Sequence, residues 1–255
     1  MIINQAEFDR MVNEAWEHEF SGWDFSYVAR RMLESPLAWD YRQIVLEKAR
    51  GVNSLLDMDT GGGEFLSSLR PLPPVTIATE YYPPNVPVAK ARLEPLGVPV
   101  VDTWAPVPLP FAANTFDLVI NRHGGYRAPE VYRVLKPGKS FITQQVGGKN
   151  CIRLNEMLQE VVDFEYSYWT LEYALRELVE SGFRIIDRRE DYPALEFVDI
   201  GAVVYYLKAI SWQVSGFTIK QYYDKLARIH NLIQLDGGFV ITEHRFFIEA
   251  QKPIL

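Results

Sequence analysis

Between residues 53 and 146, short apolar stretches alternate with amphipathic ones, and this alternation limits the fold more than any other feature. "NSLLDM", "VTIATE", "VPVVDT", "FDLVINRH" and "FITQQVG" read as buried strands. Between them, "GEFLSSLR" and "PNVPVAKARLEPLG" read as helices, and "APEVYRVLKPGKS" as a helix and its turn. The connection "WAPVPLPFAANT" is proline-rich instead. A helix between two strands carries the chain back over the sheet by a right-handed crossover, so the strands run parallel. The expectation is an α/β fold with a doubly wound, mostly parallel sheet.

The flanks read differently. In residues 4 to 20, Phe8, Met11, Val12, Ala15, Trp16 and Phe20 form one apolar stripe at helical spacing, and "WDYRQIVLEKAR" makes a further helix ending at Gly51. No strand signal appears there. Residues 1–50 are therefore expected to form an N-terminal helical cap, and 51–255 the sheet domain with a helical insertion or lid around 150–235. Helical patterns fall at 152–163, 170–181 and 218–233, and "GFRIID" reads as a strand. Periodicity leaves "FVDIGAVVYYLKAISW" open between strand and helix. "FVITEHRFFIEAQK" reads as one long alternating strand. Two late strands would supply the antiparallel edge that such sheets often carry.

Charge and cysteine content narrow the function. With 26 basic and 33 acidic residues the net charge is −7, and the basic residues are scattered. Phosphate contacts demand clustered positive charge, so this balance argues against a nucleic-acid partner. The lone Cys151 excludes a disulfide framework or multi-cysteine metal site, and the four histidines lack metal-ligand spacing. Residues 1–20 lack the basic and apolar regions of a secretory signal, and "IGAVVYYL" is too short for a membrane span. A cytoplasmic protein without a membrane partner is expected.

In a doubly wound sheet, ligands sit beyond the carboxyl ends of the strands, where strand order reverses. Position alone therefore nominates Asp57 and the loop to Gly63, then Glu80, Asp102, Asn121, Arg122, His123, Gln144 and Gln145. The loop "LLDMDTGGGEFL" offers three consecutive glycines, where backbone approaches a ligand closely. Glu80 follows Asp57 by 23 residues, where an acid accepts hydrogen bonds from both hydroxyls of a ribose. Either a nicotinamide dinucleotide or S-adenosylmethionine has such a ribose. The loop lacks the third glycine of a dinucleotide motif, and Asp57 and Asp59 would repel a pyrophosphate. They suit an ammonium and a sulfonium instead.

With these residues in place the chain resembles a class I S-adenosylmethionine-dependent methyltransferase, of the broad kind that methylates small molecules such as quinone precursors. "LLDMDTGGG" is similar to the first motif of that family and "ATEYY" to the second. "LPFAANTFDLVI" is similar to the approach to the fourth strand, and "EVYRVLKPGKSFIT" to the helix and turn before the fifth. Together they cover residues 53–146 in the family's order. The resemblance implies a Rossmann-like, seven-stranded sheet and S-adenosyl-L-methionine as cofactor. It implies that Asp57, Thr60, Gly61 and Gly63 hold the methionine half, with Glu80 on the ribose, Tyr81 beside the adenine and Asp102 facing its amino group. Asn121 joins the cofactor set by position. Two residues depart from the pattern: Asp59 stands where the family has its first glycine, and Lys139 where the turn has a second.

Methyl transfer needs a nucleophile held in line with the methyl group and shielded from water. His123 is the candidate base, or else a residue that only hydrogen-bonds its own loop. Arg122 is a clamp for an anionic group, or else half of a structural ion pair. Gln144 and Gln145 alternate across their strand, so one of them faces a pocket. Trp39 and Tyr41 are the preferred lid contacts among the aromatic residues outside the central repeat, which otherwise serve as helix packing. The partner expected is a small-molecule acceptor. The alternatives are an RNA or protein methyltransferase, and a non-catalytic or degenerate S-adenosylmethionine-binding relative, with Asp59 as its mark.

Overall fold

The computed structural model describes residues 4–20, 23–103, 108–162 and 165–254. The first half of the chain runs α1 (Gln5–Glu17), β1 (Met32–Glu34), α2 (Tyr41–Ala49), β2 (Ser54–Met58), α3 (Glu64–Ser68), β3 (Val75–Glu80), α4 (Asn85–Leu93) and β4 (Val100–Asp102). There follow β5 (Phe116–Arg122), α5 (Ala128–Val134), β6 (Leu135–Val146), α6 (Ile152–Leu158), α7 (Leu171–Glu180) and β7 (Arg184–Asp191). The last elements are β8 (Ala194–Phe197), α8 (Ile200–Ala209), α9 (Ile219–Asp236), β9 (Phe239–Thr242) and β10 (Arg245–Gln251). Two compact units result. One comprises Met1–Leu37, Gly147–Tyr168 and Tyr192–His244, the other Ala38–Val146, Trp169–Asp191 and Arg245–Leu255.

The second unit holds a seven-stranded sheet of order β4-β3-β2-β5-β6-β10-β7. Its first five strands are mutually parallel, while β10 runs antiparallel to both β6 and β7. The expected doubly wound sheet and its antiparallel edge are both present. β2 lies inside the sheet, between β3 and β5, with every residue buried, which accounts for its apolar reading. Chain order runs outward from β2 to β4 and then restarts at β5, so the reversal lies between β2 and β5. Leu56, Val119, Phe141, Phe246 and Ile248 of the sheet share a core with Val131, Val134, Ala174 and Leu178 of α5 and α7.

At the opposite end of the sheet, Asp117 accepts from the backbone N–H of Asn53 (3.0 Å) and Ser54 (3.1 Å), fixing the entry to β2. Burial would push its carboxyl up, but hydrogen bonds from Lys136, Asn53 and Ser54 outweigh it and hold the pKa at about 2. Lys139 Nζ lies 3.7 Å from the same carboxylate. The turn is made by Gly138 at φ +76°, so Lys139 needs no left-handed backbone.

The first unit has its own three-stranded antiparallel sheet, β1-β8-β9. Phe8, Val12 and Ala15 of α1 share its core with Val203, Leu207, Leu226 and Ile229 of α8 and α9. The ambiguous stretch is the helix α8, capped by Asp199, whose carboxylate accepts from Ala202 N–H (2.8 Å). It is buried nearly all round, so its sequence shows no polar stripe to reveal the helical period.

Three expectations are corrected. Strand β1 lies in the stretch read as wholly helical; it is three residues long and pairs with β8 more than 150 residues away, so nothing local announces it. The long closing strand is two strands, β9 and β10, in different sheets. The break falls at Glu243 and His244, which are buried and tied by their own N–H groups to Pro193 O (2.9 Å) and Asn150 Oδ1 (3.1 Å). Finally, the unit boundary near the N-terminus is at 37/38, not 50/51, and the presumed helical insertion supplies strand β7 to the large sheet. The Trp104–Val107 part of the proline-rich connection and the last residue of the 152–163 pattern lie outside the described residues. Among the described residues, no helix is long and apolar enough to cross a membrane.

Candidate functional site

At the end of β2 the chain turns through Asp59, Thr60 and the three glycines into α3. Gly61 (φ +64°) and Gly63 (φ +80°) adopt the left-handed conformation that the turn requires. A β-carbon on Gly63 would also lie 2.8 Å from the Leu93 side chain of α4, so this glycine permits close helix packing. Thr60 Oγ1 donates to Asp57 Oδ2 (2.7 Å), and Thr60 N–H to the Thr79 carbonyl of β3 (2.9 Å). Glu80 closes the loop from the next strand: Oε2 accepts from Gly61 N–H and Oε1 from Tyr82 N–H, both at 2.7 Å.

Asp59 also has a left-handed backbone, at φ +55°. Aspartate tolerates that region better than most residues with a side chain, which is how it replaces a glycine here. Its side chain turns toward the loop after β5, where Gly125 N–H donates to its carboxylate. A β-carbon on Gly124 would overlap the β-carbon of Asp59. The two positions interlock: Asp59 occupies space that only a glycine at 124 leaves open.

Three carboxyl groups thus gather around one glycine loop. Burial, with the neighbouring Glu80 adding to it, pushes Asp57 up to about 7. Burial, then Glu80 and Asp57, push Asp59 up to about 8. Burial raises Glu80 as well, against three backbone N–H donors, and Asp102 adds to the rise. Asp102 is exposed and pairs in register with Glu80. Tyr81 is exposed at the rim of the same loop.

Across the strand-order reversal, the ends of β5 and β6 carry a second group. Asn121 is fully buried: its Nδ2 donates to Met58 O (3.0 Å), tying β5 to the end of β2, and its Oδ1 accepts from Thr143 and Gln145. Gln145 turns to one face of β6, where Trp169 Nε1–H donates to its Oε1 (3.3 Å). Gln144 turns to the other, where Trp39 Nε1–H donates to its Oε1 (2.9 Å). Tyr41 is buried, and its hydroxyl donates to the carbonyls of Asn121 (3.0 Å) and Ile142 (3.2 Å). Trp39 and Tyr41 therefore sit over the strand ends, with Phe65, whose ring centroid is 5.3 Å from that of Tyr41, and Phe247 beside them.

His123 follows β5 directly, with a left-handed backbone (φ +62°) and its N–H on Gln144 O (2.8 Å). An indole N–H can only donate, so Trp39 fixes the amide of Gln144, whose Nε2–H then donates to His123 Nε2 at 2.9 Å. That leaves the proton of the neutral ring on Nδ1. Surrounding protein, then the charges of Arg245 and Arg122, lower the imidazole pKa, a shift that the residue's exposure to solvent moderates. Arg122 lies over the Phe65 ring, 5.1 Å from its centroid.

The structure therefore brings Asp57, Asp59, Thr60, Gly61, Gly63 and Glu80 into one cluster, and Trp39, Tyr41, Arg122, His123 and Gln144 into another, within the same unit, while the Asn121 side chain bonds Gln145. Gln145 lies on the opposite face of β6. Sequence reasoning passed over Gly124, Phe65, Arg245 and Phe247. The pair "GG" after His123 was a visible signal for the first. Arg245 opens a strand that was read as the interior of a longer one.

No family model and no curated protein matches this sequence. Solved structures do match the fold. A Bacillus halodurans protein assigned as a methyltransferase superposes with a TM-score of 0.61 at 20% identity, over 84% of this chain and 99% of that one. The YcgJ protein of Bacillus subtilis gives 0.59 at 16% identity, over 84% and 98%. The cyclase SpnF gives 0.54 at 18% identity, over 84% and 81%. Identities this low speak for architecture and leave the reaction to the site itself. The chain has the fold of the class I S-adenosylmethionine-dependent methyltransferases.

Proposed function

We propose that the protein binds S-adenosylmethionine at the β2 loop and transfers its methyl group to a small-molecule acceptor. The observation that carries this reading is the gathering of Asp57, Asp59 and Glu80 around a glycine loop at the strand-order reversal. Carboxyl groups held above their ordinary range favour a ligand that brings positive charge. An ammonium and a sulfonium supply it. Each carboxylate oxygen has two acceptor sites, so Glu80, with three backbone N–H donors, retains capacity for a ribose hydroxyl. The donor set fits the cofactor.

In this reading Asp57, Asp59, Thr60, Gly61 and Gly63 hold the methionine half, with Tyr81 and Asp102 near the adenine. Asn121 acts by fixing the end of β2 through Met58 O rather than by reaching the ligand with its amide. S-adenosylmethionine supplies the activated methyl group. Trp39 and Tyr41 exclude water and fix the acceptor's approach, Gln144 orients His123, and Gln145 braces β6 from its far face. With His123 Nε2 engaged by Gln144, the exposed function of the ring is the Nδ1–H donor, which favours positioning over proton abstraction.

A second reading has its own observation. Asp59 replaces a glycine at a left-handed position, and a cyclase shares this fold, so the chain could bind the cofactor without transferring its methyl group. Calorimetric titration with S-adenosylmethionine and S-adenosylhomocysteine, on the natural chain and Asp59→Gly, separates the readings. Micromolar binding by the natural chain, followed by methylation of an acceptor from a small-molecule collection, supports methyl transfer. Binding by the glycine variant alone shows a disabled loop and refutes it.

A further inference from the structure

The net charge of −7 is not shared between the two units. Of the 33 acidic and 26 basic residues of the chain, 16 and 9 fall in the first unit, so that unit carries all of the net charge and the second is neutral. The first unit also exposes three of the chain's six tryptophans. Trp16, in the last turn of α1, is 37% exposed; Trp23, in the loop that follows, 39%; and Trp212, in the turn between α8 and α9, 42%. These rings are joined. Trp23 meets Trp212 edge to face, 5.7 Å between centroids, and lies 6.0 Å from Phe20. Trp16 lies 6.1 Å from Phe217, which belongs to the same turn as Trp212.

A polar cleft of about 200 Å³ opens beside these rings, lined by His18, Glu19, Asp24, Ser26, Tyr27 and Tyr205. Tyr205 connects it to the aromatic surface through Phe20 (5.9 Å) and Phe25 (6.2 Å). Glu17 and Glu19 are exposed, and among the described residues their carboxylates have no ion pair or hydrogen bond. The basic side chains nearby are already engaged. Lys208 Nζ donates to the carbonyls of Trp16 (2.5 Å) and His18 (2.7 Å), 5.9 Å from the Trp16 ring centroid. Arg31, 4.5 Å from the Tyr27 centroid, is balanced by Asp199 at 3.4 Å. Among the described residues no cation lies over Trp23 or Trp212.

We infer that this face docks a lysine- and arginine-rich segment of a partner protein, with one basic side chain in the cleft against Glu19 and its neighbours over Trp23 and Trp212. Guanidinium and ammonium groups bind the faces of indole rings and pair with carboxylates. Anionic lipids or a nucleic acid would instead meet the negative field of the unit itself. A second copy of the chain offers only the same negative unit or a neutral one, so it lacks the complementary charge. The rings reach beyond the cleft, from Trp16 on α1 to Trp212 before α9, which suits an extended peptide over a single small cation. Tryptophan is also among the residues that carry most of the binding energy at protein interfaces. Every residue of the methyl-transfer reading lies in the second unit, so the docking face does not depend on that reading.

The test is fluorescence titration of a dye-labelled oligo-arginine peptide at low salt, beside an oligo-glutamate peptide of equal length. The proteins are the whole natural chain, Trp23→Ala, Trp212→Ala, their double variant and Glu19→Gln. Glu94→Gln, exposed in the neutral unit, controls for loss of charge elsewhere. The expected result is saturable binding of oligo-arginine and none of oligo-glutamate. Each tryptophan variant should weaken oligo-arginine about three- to fivefold, the scale of an exposed cation–π contact, and the double variant about tenfold. Glu19→Gln should weaken it about twofold, as befits a solvated ion pair, and Glu94→Gln should not. If Trp23→Ala unfolds early, Trp23→Phe, which keeps a ring of weaker pull, should bind with intermediate strength. No saturable binding of oligo-arginine, binding indifferent to both tryptophans, or an equal loss in Glu94→Gln overturns the inference. So does self-association in sedimentation equilibrium that the double variant abolishes, because a second copy would then cover this face.

Discussion

Asp59 makes the protein's stability depend on pH in a direction opposite to that of most carboxylates. Its carboxyl ionises near 3.8 in an open chain and near 8 in the fold. The folded state then binds the proton more tightly than the unfolded state, so stability is fully present below pH 3.8 and is lost as pH rises toward 8. At pH 7 the loss spans about three pH units, roughly 4 kcal/mol at 1.36 kcal/mol per unit, and about 2–4 kcal/mol after allowance for water at the partly exposed loop. Asp59→Asn keeps the side-chain volume, the tolerance for a left-handed backbone and an acceptor for Gly125 N–H, but removes the titration. The variant should be more stable than the natural protein by about 2–4 kcal/mol at pH 7 and nearly equal to it at pH 4. Urea unfolding of both proteins at intervals from pH 4 to 8 measures the difference, in which most other titrating groups cancel. A difference that stays constant over that range would refute the burial argument for Asp59.

Gly124→Ala should destabilise the fold by about 1–3 kcal/mol through overlap with Asp59, and Asp59→Gly in the same chain should recover part of the loss. Strict additivity in the double-mutant cycle would show that the two residues do not interlock. Tyr41→Phe should fold normally yet lose about 1–2 kcal/mol in denaturant, because two buried carbonyls lose a shared donor. An unchanged midpoint would place that hydroxyl in water. His123 should remain neutral in NMR titrations well below its ordinary value of 6.5, and Arg245→Gln should raise its pKa. Its contribution to stability should accordingly be lost as pH falls through 6.5, and an imidazole titrating normally would remove the two arginines from its surroundings.

Much of the large sheet was legible because its information is local. β2, β3, β5 and β6 are apolar runs bounded by turns or helices, and burial on both faces leaves such runs few alternatives. The carboxyl-end rule then located Asp57, Glu80, Arg122, His123 and Gln144 without any knowledge of contacts. What stayed hidden depends on residues far apart in the chain. β1 is defined by its pairing with β8, and the junction of β9 and β10 by hydrogen bonds from Glu243 and His244 to distant partners, with no glycine or proline to mark it. The same holds within the site. Asp59 looked like a liability because the space for it is provided at Gly124, 65 positions later. His123 looked like a base because nothing in its own neighbourhood shows Trp39 fixing Gln144, or Arg245 lowering its pKa.

The order of strands in the large sheet also governs when that sheet can come into being. β10 is the last of the seven to be made, yet it lies between β6 and β7 and is the partner of both. On a growing chain, β7 emerges well before it has any neighbour to bind, and β6 must wait with one edge open. A nascent chain can assemble β2 to β6 progressively, but it cannot close the sheet until residue 251 is free to insert. A truncation between Asp191 and Arg245 would therefore remove one strand directly and leave a second without its partner, exposing an edge open to pairing with other chains.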